Sequence, residues 1–423
     1  MATQLSTFAE TVDRALAGSL RDEVRQHSGT FVFEACRIRV QSNSSDLIVY
    51  LNDYFRPFRD PASSDSTAAG SSAASSQVRI GTPEDVDIEI IAVEGEPLDV
   101  RSLPLAEHPP EPGKTRIKEA WTDLDRGRVV RKQLTGMVFL FDGQVSIASG
   151  RCLENANQVV NFINNRFIQW SVQRQWALCH AAGVTKHDRG VVIAGISGAG
   201  KSTLSLHLVA RGLDFVSNDR ILIRRQPIAV DSSPKAMGSE DPVLSQSSDA
   251  SHVRMVGVAK LPRVNPGTIM NNEALRSMLS GAERDRYERM SPDELWPLEE
   301  KYDVPIDDVF GRDRFHLSSN VTGIYILDWS RHTEAGAQTV IQPIALDEHP
   351  HLLEALMKRL GVFYYDPTGE HRPEDRPDPK IYLEILRDVP AFSVAGHLDF
   401  AVAADAIEQR IAGTDAFGPQ SAT

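Results

Sequence analysis

Residues 191–204, VVIAGISGAGKSTL, constrain this chain more tightly than any other stretch. They contain Gly195, Ile196, Ser197, Gly198, Ala199, Gly200, Lys201 and Ser202, a complete G-x-x-x-x-G-K-S pattern, with Thr203 directly after it. The apolar run before the pattern reads as a buried strand and residues 203–210 after it as a helix, the context the pattern requires. Glycines let the backbone wrap a phosphate so that several N–H groups face it, and a helix N-terminus adds partial positive charge. Lys201 is then a point cation for β- and γ-phosphates, and Ser202 a hydroxyl for Mg²⁺.

Strand, phosphate loop, helix and next strand make an α/β unit. That next strand, residues 214–223, carries a polar interruption at Ser217, Asn218, Asp219 and Arg220. Upstream, residues 155–176 place Val159, Phe162, Ile163, Phe167, Trp170 and Val172 on a wide apolar face, a core-packing helix that opens a domain over residues 151–412. Downstream come a strand leading from 253 into a Pro- and Gly-marked loop with Lys260 and Arg263, and a strand at 321–329 that carries Asp328. A helix at 347–360 capped by Asp347, and terminal helices at 379–389 and 401–411 flanking a strand at 391–400, complete this domain. Residues 1–150 read as a small α+β domain. It has a helix capped by Ser6 or Thr7 and strands at 30–40, 47–51, 86–93 and 129–149. Residues 61–77, PASSDSTAAGSSAASSQ, read as a flexible insertion, residues 231–251 as a long polar loop, and residues 413–423 as a frayed tail.

With 45 basic against 58 acidic residues the net charge is −13, which disfavours nucleic acid or an anionic membrane as a general partner. Cys36, Cys152 and Cys179 have no paired spacing, as suits a reducing compartment, and exclude a zinc-finger pattern. No apolar run approaches transmembrane length, and the N-terminus lacks the apolar core of a signal peptide, so a cytoplasmic location is expected.

Phosphoryl transfer needs a phosphate cradle, metal ligands, a group that orients or deprotonates the acceptor, and cations for developing charge. Ser202 is one metal ligand. The second should be an acid at the end of a neighbouring strand; Asp219 fits, and Asp328 is the alternative, as a conventional Walker B acid or simply a turn cap. His180 lies in an apolar segment just before the loop strand, where it is either a satisfied core residue or a group facing the acceptor. Lys260 and Arg263 either meet an anionic acceptor or are solvated loop cations.

His180, the loop at 195–202 and the tip Ser217-Asn218-Asp219-Arg220 resemble the catalytic domain of HPr kinase/phosphorylase. The stretch VGVAKLPRVNPGT resembles the HPr-kinase-related kinases, the kinase B group in particular. The resemblance is best over residues 155–330. It implies a P-loop kinase domain with the fold of phosphoenolpyruvate carboxykinase and a serine-type protein kinase using ATP and Mg²⁺. It also implies a protein acceptor and homo-oligomers. The family carries two adjacent aspartates after the loop helix, the first acting as base; here Asn218 stands there, and an amide orients a hydroxyl but takes no proton. A family signature would align near 253–259, where Gly257 survives but its Glu and Arg do not.

The expectation is an ATP-dependent phosphotransferase acting on an unidentified protein hydroxyl, with Lys201, His180, Asn218, Asp219, Lys260 and Arg263 at the reaction centre. Two rivals stand beside it: a nucleotide-binding regulator without catalysis, suggested by Asn218, and a conventional P-loop ATPase using Asp328.

Overall fold

A computed structural model describes residues 7–17, 20–61, 86–110, 115–196, 198–227, 251–295, 298, 300–330 and 336–414. The insertion from residue 62, the polar loop up to residue 250, Ser197 and the tail beyond residue 414 lie outside the described residues. The fold is mixed α/β, in two compact units. The first comprises Met1–Arg174, Val258–Lys260 and Arg359–Arg376; the second comprises Gln175–Gly257, Leu261–Lys358 and Pro377–Thr423. No helix among the described residues is long and apolar enough to cross a membrane.

The first unit holds an eight-stranded sheet in the order β1-β2-β3-β8-β7-β6-β5-β4. Its strands are β1 His27–Phe33, β2 Cys36–Ser42, β3 Ile88–Glu94, β4 Ala106–Glu107, β5 Glu119–Asp123, β6 Arg128–Lys132, β7 Val138–Phe141 and β8 Ser146–Gly150. The strand expected at 30–40 is two strands, reversed at Glu34, whose φ of 56° is left-handed. The strand expected at 47–51 is instead part of the helix Ser45–Tyr54. Ser44 caps it by accepting from Leu47 N at 3.2 Å. Leu47, Ile48 and Leu51 are buried while Val49 and Tyr50 are exposed, which is helical and not two-fold spacing. The helix Ala156–Val172 packs Phe162 on Phe139 and Phe167 on Phe33, with ring centroids 4.9 and 5.5 Å apart.

The second unit is built on a nine-stranded sheet whose main path is β12-β10-β11-β17-β14-β13-β9. The strands are β9 Ala177–Cys179, β10 Ala181–Lys186, β11 Arg189–Gly195, β12 Asp214–Ser217, β13 Ile221–Pro227, β14 Ser251–Gly257, β17 Ser318–Ser330, β18 Thr339–Ile344 and β19 Ala391–His397. β15 Arg263–Val264 and β16 Tyr302–Asp303 form a separate ribbon. β11 runs parallel to β17, and β17 parallel to β19. The strand expected at 214–223 is two, β12 on β10 and β13 on β14, with Asn218, Asp219 and Arg220 in the turn between them. The helix expected at 347–360 is shorter, Pro350–Leu356, beginning at a proline that has no N–H to lose in a first turn. Its Leu352, Leu353 and Leu356 pack with Val192 and Ala194 of β11 and Ile324 and Ile326 of β17. Each such buried leucine contributes about 1.5–3 kcal/mol. The core thus anchors the strand that ends in the glycine loop.

Candidate active site

β11 delivers the chain into the loop at Gly195, and the helix Lys201–Ala210 leaves it. Gly200, the residue before that helix, has φ 90° and makes no side-chain cap. A Cβ there would also lie 2.9 Å from Phe400 Cζ, so glycine answers both the backbone and the packing. An uncapped first turn leaves N–H donors for an anion. The loop is braced from one side: Trp329 Nε1 donates to Ala199 O at 2.8 Å, and its indole meets the Phe400 ring edge-on at 5.2 Å.

Lys201 curls over the loop, its Nζ donating to Gly195 O at 2.7 Å and Ile196 O at 3.1 Å. The side chain is buried. Burial pushes its pKa down to about 8; the field of Asp219 opposes the fall and that of Lys358 adds to it. Ser202 Oγ accepts a hydrogen bond from Asn218 Nδ2 at 3.1 Å, which ties the loop helix to the turn after β12. Thr203 Oγ1 lies 2.8 Å from Thr268 Oγ1, fastening the same helix to the short helix Pro266–Met270.

Asp219 gathers three cationic or potentially cationic groups. His180 Nε2 is 3.3 Å from Oδ1, Lys358 Nζ 3.3 Å from Oδ2 and Arg220 Nε 3.6 Å from Oδ2. Crowding by the protein alone would raise its pKa. The His180 hydrogen bond and the charges of Lys358 and Arg220 outweigh that and hold the carboxyl well below its usual range. Half of the side chain nevertheless remains open to solvent, at 50% exposure. Asp219 is therefore an anionic oxygen donor throughout the neutral range and a poor proton acceptor. Gly257 backs this turn, since a Cβ on it would stand 2.3 Å from Val216 O. That close approach explains why glycine stands at 257.

The structure thus brings together His180, Lys201, Ser202, Asn218 and Asp219, with Gly195, Ile196, Gly198, Ala199, Gly200 and Thr203 in or beside the loop; Ser197 lies outside the described residues. Arg263 is on β15, its Nε 3.0 Å from Asp303 Oδ1 on β16, an ion pair within the ribbon. Lys260 belongs to the first compact unit, where its N donates to Val258 O at 2.7 Å. Asp328 is exposed near the end of β17, one residue beyond Leu327, the register partner of Gly195. Strand alternation turns it away from the face on which Trp329 supports the loop.

Sequence reasoning missed Lys358. It follows the helix Pro350–Leu356 and is separated from Asp219 by 139 positions. Its N donates to Leu178 O at 3.2 Å, and His180 N donates to Leu356 O at 2.7 Å, so this segment runs alongside β9 and its continuation to His180. No local pattern marks such a pairing. Trp329 and Phe400 were likewise invisible as a brace, although each sits in an element the sequence outlines.

The donor chemistry suits a hard cation. Ser202 and Asp219 offer oxygen, and among the described residues no group of three or more His, Cys, Asp or Glu is placed to hold a metal ion. A magnesium ion is commonly held by one or two protein oxygens together with substrate phosphates.

Compared with known family models and with curated proteins, the chain matches none. Among solved structures it is similar to the Hpr(Ser) kinase/phosphatase from Coxiella burnetii, at 13% identity over 55% of this chain and 88% of that one, with a TM-score of 0.24. The functional reading below therefore rests on the site itself.

Proposed function

We propose that this protein is an ATP-dependent phosphotransferase of the HPr-kinase-related kind, with a phosphoenolpyruvate-carboxykinase-like kinase domain built on the unit that carries the phosphate loop. The observation that carries the reading is the hydrogen bond from Asn218 to Ser202, which sets the acidic turn against the phosphate loop. In this reading the loop at 195–203 cradles the ATP phosphates, and Lys201, already inside it, neutralises charge that develops on the transferred group. Ser202 and Asp219 hold Mg²⁺, whose contribution is to screen the β- and γ-oxygens. His180 steadies Asp219 and faces the acceptor. Asn218 orients the acceptor hydroxyl without deprotonating it, which a loose transition state with little demand for a base accommodates. The acceptor is a protein hydroxyl.

The test is equilibrium binding of Mg²⁺·ATP to the full chain, followed by transfer of labelled γ-phosphate to protein. Wild type should bind, and Lys201→Ala should lose both binding and transfer. Absence of ATP binding by wild type sinks the reading.

One observation favours a second reading. β17 is the parallel neighbour of β11, and Asp328 lies just past the register of Gly195, as a Walker B acid would. A conventional ATPase would depend on Asp328 for its metal and show hydrolysis without a protein acceptor.

A further inference from the structure

Asp219 has two oxygens and more cationic neighbours than it can serve once a metal arrives. Oδ1 faces His180, and Oδ2 faces Lys358 and Arg220. A divalent cation taking an oxygen of Asp219 competes with a group already there. Lys358 is the neighbour best made to yield. Its backbone is pinned by the hydrogen bond to Leu178 and by the bridge between Cys179 and Met357, but its ammonium ends a four-carbon stem that is partly exposed. The charge of Lys358 also lowers the pKa of Lys201, so the two ammonium groups repel each other. Two lysines around one carboxylate leave a surplus of positive charge, in a chain whose net charge is −13. Such a surplus suits a polyanion.

We propose that Lys358 is an exchangeable counter-ion of Asp219. It neutralises the carboxylate before nucleotide binds and passes to the terminal phosphate of a nucleoside triphosphate when the accompanying divalent cation takes Asp219. This role rests on the phosphotransferase reading. It has two consequences of opposite sign. In the nucleotide-free protein Lys358 competes with a metal ion for Asp219, so removing it should strengthen metal binding. In the complex its partner is the γ-phosphate, which a diphosphate lacks, so removing it should lower the preference for ATP over ADP. A residue that merely props up the fold would do neither.

The experiment uses the full chain. Mn²⁺ binding without nucleotide is titrated by the electron paramagnetic resonance signal of free Mn²⁺, and Mg²⁺·ATP and Mg²⁺·ADP binding by calorimetry. Lys358→Met should tighten Mn²⁺ about tenfold and lower the preference for ATP over ADP about tenfold. Lys358→Arg, which keeps the charge, should hold the ATP-to-ADP preference within about threefold of wild type. In an Asp219→Asn background Lys358→Met should no longer tighten Mn²⁺. The Asp219→Asn background separates a gain at this carboxylate from Mn²⁺ taken up by acidic side chains elsewhere, so the Mn²⁺ readout stands even if the variant is less stable. Unchanged or weaker Mn²⁺ binding, or an unchanged ATP-to-ADP preference, overturns the counter-ion role. If wild type binds both nucleotides and Lys358→Met behaves identically, only this proposal falls. If wild type binds neither, the phosphotransferase reading falls and takes the proposal with it.

Discussion

Asn218 Nδ2 donates to Ser202 Oγ across 3.1 Å, joining the turn after β12 to the first turn of the loop helix. A carboxylate at 218 would reverse the bond, accepting from the Ser202 hydroxyl or from an acceptor hydroxyl beside it. Asn218→Asp should therefore add the proton acceptor this site lacks and raise phosphotransfer by about 10- to 100-fold in single-turnover assays. Asn218→Ala should loosen Ser202 and weaken Mg²⁺·ATP binding by about 1 kcal/mol. An unaltered transfer rate in Asn218→Asp would mean that the amide is the working group.

Lys201 makes nucleotide binding depend on pH. Its pKa in the free protein is about 8, and a bound triphosphate favours the charged form and raises that value. Above pH 8, binding must then take up a proton, and ATP affinity should fall by up to about tenfold per pH unit. Below that point this group contributes no slope. Lys201→Arg, permanently charged, should flatten the profile. The effect on folding has the opposite sign. Between about 8 and the ordinary 10.5 the native state holds fewer protons here than the unfolded chain, so Lys201's contribution to stability rises with pH across that window. Calorimetric ATP titrations from pH 6.5 to 9.5 check the first claim.

Gly257→Ala places a methyl group 2.3 Å from Val216 O, a backbone atom that cannot swing aside. The turn bearing Asn218 and Asp219 must shift instead. A stability loss of about 1–3 kcal/mol is expected in urea unfolding. Nucleotide affinity should fall by more than that of an equally destabilised variant in the core of the other compact unit, such as Phe139→Leu.

Asp219 and Asp328 compete for the role of metal acid, and alanine substitutions separate them. Asp219→Ala should remove the Mg²⁺ dependence of ATP binding, whereas Asp328→Ala, on an exposed residue, should leave it within about twofold. The reverse outcome would transfer the assignment to the conventional ATPase.

The site was partly legible in one dimension because its parts are local. Glycine spacing, Lys201 and Ser202 act within one loop and one helical turn, and Asn218 with Asp219 follows in the turn after the next strand. The helix Ser45–Tyr54 reads as a strand in the sequence because its five-residue apolar run suits one by composition, whereas the cap at Ser44 and the burial of positions 47, 48 and 51 show a helical period. The apparent single strand at 214–223 became two because each half pairs with a different neighbour. Arg263, a candidate on residue type, pairs with Asp303 within the ribbon, a contact that no local pattern marks.

What the sequence determined by itself is the phosphate loop, since the φ angles and the cation it needs are written in adjacent residues. Tertiary structure alone decided what surrounds that loop. Trp329 and Phe400 reach it through the parallel packing of β11, β17 and β19, and Lys358 reaches Asp219 because residues 357–358 run beside β9. Those approaches are set by sheet register and hydrogen bonding between distant segments, and residue spacing along the chain does not encode them.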